Sequence, residues 1–335
     1  MPPPEACPNP SLKAKATYAH AMRSVFAFSL FVLACSPAPR VPEAPQVAPS
    51  VQNLPAVAPV PLPTPTAPAA AVAAAAAETW HRCGALECLQ FARSADAIRY
   101  VLDTTRPRFL GIGESHASIG TEGIASSAAH LRTEWLKALA GRASDLVIEL
   151  PLPPQGCDDA KRAVVEKVEK PVTQNQRGDN KNEYLELGHE ARRLTLQPWA
   201  LEPTCADLRA VSDAGPGSIV AMLELIARLT KARLTELDAR RPAGTILVAF
   251  GGALHNDVAP APDRASWSFG PALLLASHDR YVEVDAFVPE HIKDTESWRR
   301  MPFYAHYDPK AHPAETTLLR LGPSSFVVIF PRTTP

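Results

Sequence analysis

No run in this chain is long and apolar enough to span a bilayer as a helix. The longest apolar stretch, Val25 to Ala34, has ten residues, about half of what a crossing helix needs. No block of lysine and arginine stands out. Lys+Arg 34 against Asp+Glu 35 leaves a formal net charge of −1, which leaves a nucleic acid without the positive face it would bind. The cysteines contain no C-x-x-C pair, so the usual structural zinc spacing is missing. No segment recurs at a fixed period. Gly111-x-Gly113 lacks the third glycine of a dinucleotide fingerprint, and His116 occupies the turn.

The short apolar run suits the core of a signal peptide. Met22-Arg23-Ser24 supplies a start and a positive charge. If Met1 is the start, Lys13, Lys15 and Arg23 form the basic leader. The run ends in Val32-Leu33-Ala34-Cys35, which resembles a bacterial lipobox and implies lipidation of Cys35. Ser36 to Ala70 contains eleven prolines, a composition that favours extended polyproline II and builds no core. The expected layout is a signal segment at 1–34 and the lipidated cysteine with a Pro/Ala tether at 35–78. One α/β domain follows at 79–335. The expected location is extracytoplasmic and membrane-anchored, in the periplasm or at the cell surface; Ser36 is compatible with the outer membrane. Such a compartment permits disulfides. Cys83, Cys88, Cys157 and Cys205 allow three connectivities; Cys83–Cys88 with Cys157–Cys205 is one of them.

The domain alternates apolar strands with helices. Strands are expected at Arg108–Gly113, Asp145–Leu150, Thr195–Leu201, Thr245–Phe250, Arg280–Phe287 and Ser325–Phe330. Helices are expected after a Ser94 cap, over Thr121–Arg142, over Asp158–Lys170 and over Glu183–Leu194 behind an Asn180/Glu183 capping box. Two more are expected at Gly217–Arg241 and Pro289–Arg300. Continuous apolar strands separated by helices predict a mostly parallel sheet covered on both faces.

Polar residues cluster where these strands end. Strand 108–113 runs into Glu114-Ser115-His116. Glu149 lies near the end of the next strand, and Glu202 follows the third. The strand at 245–250 runs into Gly252, His255, Asn256 and Asp257, and Asp285 lies near the end of its neighbour. Carboxyl ends of parallel strands share one rim, where ligands bind. Gly113-x-x-His116 and Gly252-x-x-His255 share one form, with the glycine expected to let the chain turn sharply. His116, His255 and Glu149 suit a divalent zinc, manganese or iron ion. Glu114 or Glu149 would then serve as general base. Asn256 and Asp257 also read as turn caps, and Glu149 as one half of a salt bridge.

GIGESHA, VIEL and FGGALHND resemble the superfamily of erythromycin esterase-like proteins, ChaN-like haem-binding lipoproteins and TraB/Tiki proteins. The resemblance covers roughly Arg108 to Asp285. It implies either a metal-dependent hydrolase of esters or peptides, or a lipoprotein that binds haem or iron without turnover. It implies functional roles for Glu114, His116, Glu149 and His255. A non-catalytic scaffold of the same fold is the third reading. Tyr304, His306, Tyr307 and His312 are candidate haem ligands. Gly113-Glu114-Ser115-His116-Ala117 also fits a nucleophile elbow with Ser115, but no strand and oxyanion loop are expected before it. Val172–Asn182 reads as a solvated loop, with a lid over the rim as the alternative.

Overall fold

A computed structural model describes residues 79–152, 157, 170, 173–308 and 314–333. The signal segment, Cys35, the tether, His312 and nearly all of the helix expected at 158–170 lie outside them. Among the described residues no helix is long and apolar enough to cross a membrane.

The strands are β1 (His81–Cys83), β2 (Leu86–Phe91), β3 (Phe109–Glu114), β4 (Ala143–Pro151), β5 (Gln197–Leu201), β6 (Ile246–Gly252), β7 (Tyr281–Phe287), β8 (Thr316–Gly322) and β9 (Ser325–Ile329). They form one nine-stranded sheet in the order β1-β2-β8-β9-β7-β3-β6-β4-β5. From β9 to β5 every pairing is parallel. β1, β2, β8 and β9 pair antiparallel. The α/β class and the mostly parallel sheet are thus as expected. The antiparallel wing is not, because β1, β2 and β8 escaped the sequence reading. β5 lies at an edge, where Pro198 withholds no hydrogen bond that a further strand would need.

Side chains alternate across the sheet. Leu110, Ile112, Leu146, Ile148, Val248 and Val284 face a core shared with Val101, Trp135 and Leu187. Phe109, Val147, Leu247 and Tyr281 face the helix Ser218–Asp238 through Leu225 and Leu234. Helices therefore cover both faces, which is why the central strands carry apolar residues on both sides.

Four helix expectations need correction. The helix expected over Thr121–Arg142 begins only at Ser127, where Ser126 caps the Ala129 amide at 3.0 Å, and passes through a π-helical stretch, Leu131–Trp135, to end at Leu139. The first helix begins at Ser94 with Arg93 in the cap position. Ser94 Oγ accepts from Trp135 Nε1 at 2.9 Å and donates to Glu134, so its hydroxyl links two helices. The helix Asn180–Arg193 has Asp179 at its cap and no side-chain cap. Asn180 donates to the Ala117 carbonyl at 3.0 Å, while Glu183 accepts from Arg177 at 2.8 Å and from Ser126 at 2.6 Å. The stretch from Pro289 to Arg300 yields only a 3-10 turn, Pro289–His291, and one helical turn, Glu296–Arg299. Residues 293–297 are exposed throughout, so no apolar face anchors a longer helix.

Two disulfides are present, Cys83–Cys88 within the β1–β2 hairpin and Cys157–Cys205. At the rim opposite the strand tips, Arg108 is buried. It donates to Asp238 at 2.6 Å and to the Pro242 and Thr245 carbonyls at 2.7 and 2.6 Å.

Candidate active site

β3, β6 and β4 are neighbours, and their carboxyl ends open into a cavity of about 360 Å³. Glu114, Ser115, His116, Glu149, Tyr184 and His255 all line it. Glu114 ends β3 and is the register partner of Gly252, which ends β6. The next residues of each chain then deliver His116 and His255. His255 sits in the helical turn Ala253–Asn256.

Two imidazole–carboxylate pairs meet here. In the first, His116 Nδ1 lies 2.9 Å from Glu114 Oε1. The Tyr184 hydroxyl donates to the same Glu114 oxygen and lies 3.0 Å from His116 Nδ1. In the second, His255 Nε2 faces Glu149 Oε1 at 3.7 Å. His255 Nδ1 donates to the Trp267 carbonyl at 2.8 Å. That bond orients the ring so that Nε2 is turned toward Glu149. Glu149 Oε2 accepts from the Gly252 amide at 2.6 Å.

The two pairs converge. His116 Nε2, Glu149 Oε2 and His255 Cδ2 lie 3.5, 3.7 and 3.7 Å from the point where a Cβ on Gly252 would stand. The two histidines expected to share a rim thus share a cavity. The reason for their glycines differs from expectation. Neither Gly113 nor Gly252 has a positive φ. Gly113 is needed because a Cβ there would stand 2.2 Å from Asp285 Oδ1 and 2.7 Å from the Ala253 backbone.

Burial by itself pulls His116 down. The hydrogen bond and charge of Glu114, with the charge of Glu149, outweigh it and carry the imidazole up to about 9. At neutral pH His116 is therefore a cation. Burial, then the charges of Glu114 and Glu149, push Tyr184 well above its ordinary value, so it remains a hydroxyl donor. Glu114 Oε2 and Ser115 Oγ are buried without a hydrogen-bond partner among the described residues. Ser115 therefore has no base attached, and the nucleophile–base pair of an elbow is missing.

The remaining rim candidates separate. Glu202 is exposed, pairs with Arg233 at 3.2 Å and stays off the cavity. Asp285 is buried behind β3 and accepts from Asn256 Nδ2 at 3.2 Å. Burial, with the charge of Glu283, raises it well above the carboxylate range. Asn256 also reaches the Gly111 carbonyl at 3.3 Å. Asp257 caps the Ala259 amide at 2.8 Å. These three hold the His255 turn from behind and do not touch the cavity. Asp285 lies beneath the Ala253–Asn256 turn, where a Cβ on Gly113 would meet Asp285, Ala253 and Asn256 together. Tyr304, His306 and Tyr307 do not line the cavity either.

Tyr184 escaped the sequence reading, since its role depends on the docking of a helix seventy residues after Glu114. A lone buried tyrosine in a highly charged helix was the available signal. The described part of the 172–182 segment, from 173 on, is more than a solvated loop. Thr173, Gln176, Asn180 and Lys181 line the cavity, and Gln176 bridges Ser118.

The donor set offers an ion a partial fit. A separation of 3.7 Å between His255 Nε2 and Glu149 Oε1 is long for a hydrogen bond and suits two ligands of one ion. His116 is already engaged by Glu114. Among the described residues, one group of three or more His, Cys, Asp or Glu has all its ligand atoms within 4.8 Å of one another: His81, Cys83 and Cys88. That group could hold a metal ion, but its two sulfurs are bonded to each other.

Comparisons of the chain with protein-family models, with curated proteins and with solved structures found no match.

Proposed function

We propose that this chain is an extracytoplasmic, lipid-anchored hydrolase of an ester or peptide bond, with its active site at the tips of β3, β4 and β6. The observation that carries the reading is the convergence of His116, Glu149 and His255 on Gly252. The GxxH resemblance agrees with it, as do the lipobox at Cys35 and the two disulfides.

The two pairs divide the work. His255 Nε2 and Glu149 Oε1 form the basic half, across a gap that a water or an ion can bridge. They take the proton of an attacking water. His116, held as an imidazolium by Glu114 and by the charge of Glu149, forms the acidic half and protonates the leaving group. His255 and Glu149 are also the residues that would hold a divalent zinc, manganese or iron ion. When bound, such an ion supplies a positive charge that acidifies water and polarises a carbonyl.

The test is hydrolysis of ester and peptide substrates by the full chain and by His116→Ala, His255→Ala and Glu149→Gln variants. Each variant is expected to lose roughly a hundredfold or more in kcat/KM. Elemental analysis of the same samples asks whether a metal is held and lost with His255. Wild-type turnover in all three variants would sink the reading. A Soret band in the purified chain would replace it with haem binding.

A further inference from the structure

Ile219, Met222, Leu223 and Ile226 stand three and four residues apart on the helix Ser218–Asp238, so they form one stripe. Met222, Leu223 and Ile226 line the cavity. Ile219, one turn earlier, is 38% exposed. The apolar stripe therefore begins inside the cavity and runs out to solvent. The end of β4 does the same: Leu150 and Pro151 line the cavity, and Leu152 beyond them is 44% exposed. Scattered exposed apolar side chains are ordinary. These two continue, in sequence, segments that line the cavity.

Phe287, Trp298 and Met301 supply a further apolar wall, with Trp298 edge-on to Phe287 at 5.0 Å between ring centroids. Outside the two imidazole–carboxylate pairs, the polar side chains of the lining come chiefly from 173–181; along the stripe itself a peptide strand would lose water from its N–H and C=O groups and meet apolar side chains, at a cost for each group. An alkyl chain has no such groups to satisfy.

We infer that the substrate is an ester whose acyl part is an extended apolar chain, laid along the Ile219–Ile226 stripe with its carbonyl at the histidine end. This rests on the hydrolase reading of the same cavity. The acyl C–O bond breaks, the water oxygen joins the acyl carbon, and a proton passes to the departing alkoxide. The products are a carboxylic acid and an alcohol, with no oxidant or reductant involved.

The test uses 2-alkanones of increasing length, neutral ester mimics with no leaving group, titrated calorimetrically into the full chain. Affinity should rise about three- to fourfold per methylene and level off once the chain passes Ile219. Leu223→Asn and Ile219→Asn, at half-buried and exposed positions that keep the fold, should flatten that slope, with far-UV dichroism confirming the fold. A parallel series of methyl alkanoates reports turnover. Ketone affinity independent of chain length, or a slope unaltered in both variants, would overturn the inference. Turnover without chain-length dependence does the same and leaves the hydrolase reading standing. Graded ketone binding with no ester turnover overturns the hydrolase reading and leaves an apolar-chain site.

Discussion

Replacing Glu114 by glutamine should remove most of what keeps His116 charged. The imidazole moves from 6.5 to about 9 in the folded chain, against its own burial, through Glu114 first and Glu149 second. Without the Glu114 charge, burial prevails and the imidazole should titrate near or below its ordinary value. Each pH unit by which a pKa moves is worth about 1.4 kcal/mol. Discounted for the 28% exposure of the His116 side chain, the pair contributes about 2 kcal/mol. The folded state keeps a proton that the unfolded state loses between pH 6.5 and about 9. This stabilisation is therefore full below pH 6.5 and is lost as pH rises through about 9. Glu283, raised from 4.5 to about 8 chiefly by burial, also makes stability fall with rising pH, over a lower range. The difference between wild type and variant is therefore diagnostic, and the raw slope is not. The assay is urea denaturation on both sides of the window, with an NMR titration of the imidazole protons. Equal losses in wild type and Glu114→Gln, or a wild-type His116 titrating below neutrality, would refute the reasoning.

Three further outcomes follow from particular contacts. In Gly251→Ala the new Cβ would stand 2.2 Å from Glu149 Oε2 and 2.7 Å from Glu149 Cβ. Glu149 should be expelled and turnover should fall at least about tenfold; Gly244→Ala, with nothing within 4 Å, is the control. Arg108→Met leaves Asp238 and the Pro242 and Thr245 carbonyls without their donor. It should cost about 3 kcal/mol in denaturation with kcat/KM intact. Replacing the Cys83–Cys88 pair by serines should cost about 2 kcal/mol and the Cys157–Cys205 pair about 4, in line with sequence separations of 5 and 48; denaturant midpoints check both.

What was legible in the sequence follows from local pattern. β3, β4, β6 and β7 are covered on both faces, so β3 and β6 show as apolar runs and β4 carries the run Leu146-Val147-Ile148, while in β7 Glu283 and Asp285 alternate with apolar residues. β8 and the β1–β2 hairpin lie in the antiparallel wing, where Thr, Arg, Glu and Gln interrupt the pattern. The GxxH segments carried His116 and His255 to the same cavity because each follows a strand tip in neighbouring parallel strands. Glu202 and Asp285 show the limit of that logic. A strand end fixes the rim but not the depth: Asp285 lies beneath the Ala253–Asn256 turn, bonded to Asn256, and Glu202 turns out to Arg233. Ser94 and Asn180 show another limit. A residue suited to capping forms whatever bond its tertiary neighbours offer.

β2 pairs with β8, so a strand made early in the domain acquires this second neighbour only when Thr316–Gly322 has been made. Until then its edge is open to other chains. A stop codon between Met301 and Thr316 would leave the cavity's own strands and lining in place yet strip the hairpin of its support. Such truncations should be found in inclusion bodies or degraded, even though they delete none of the residues that line the cavity.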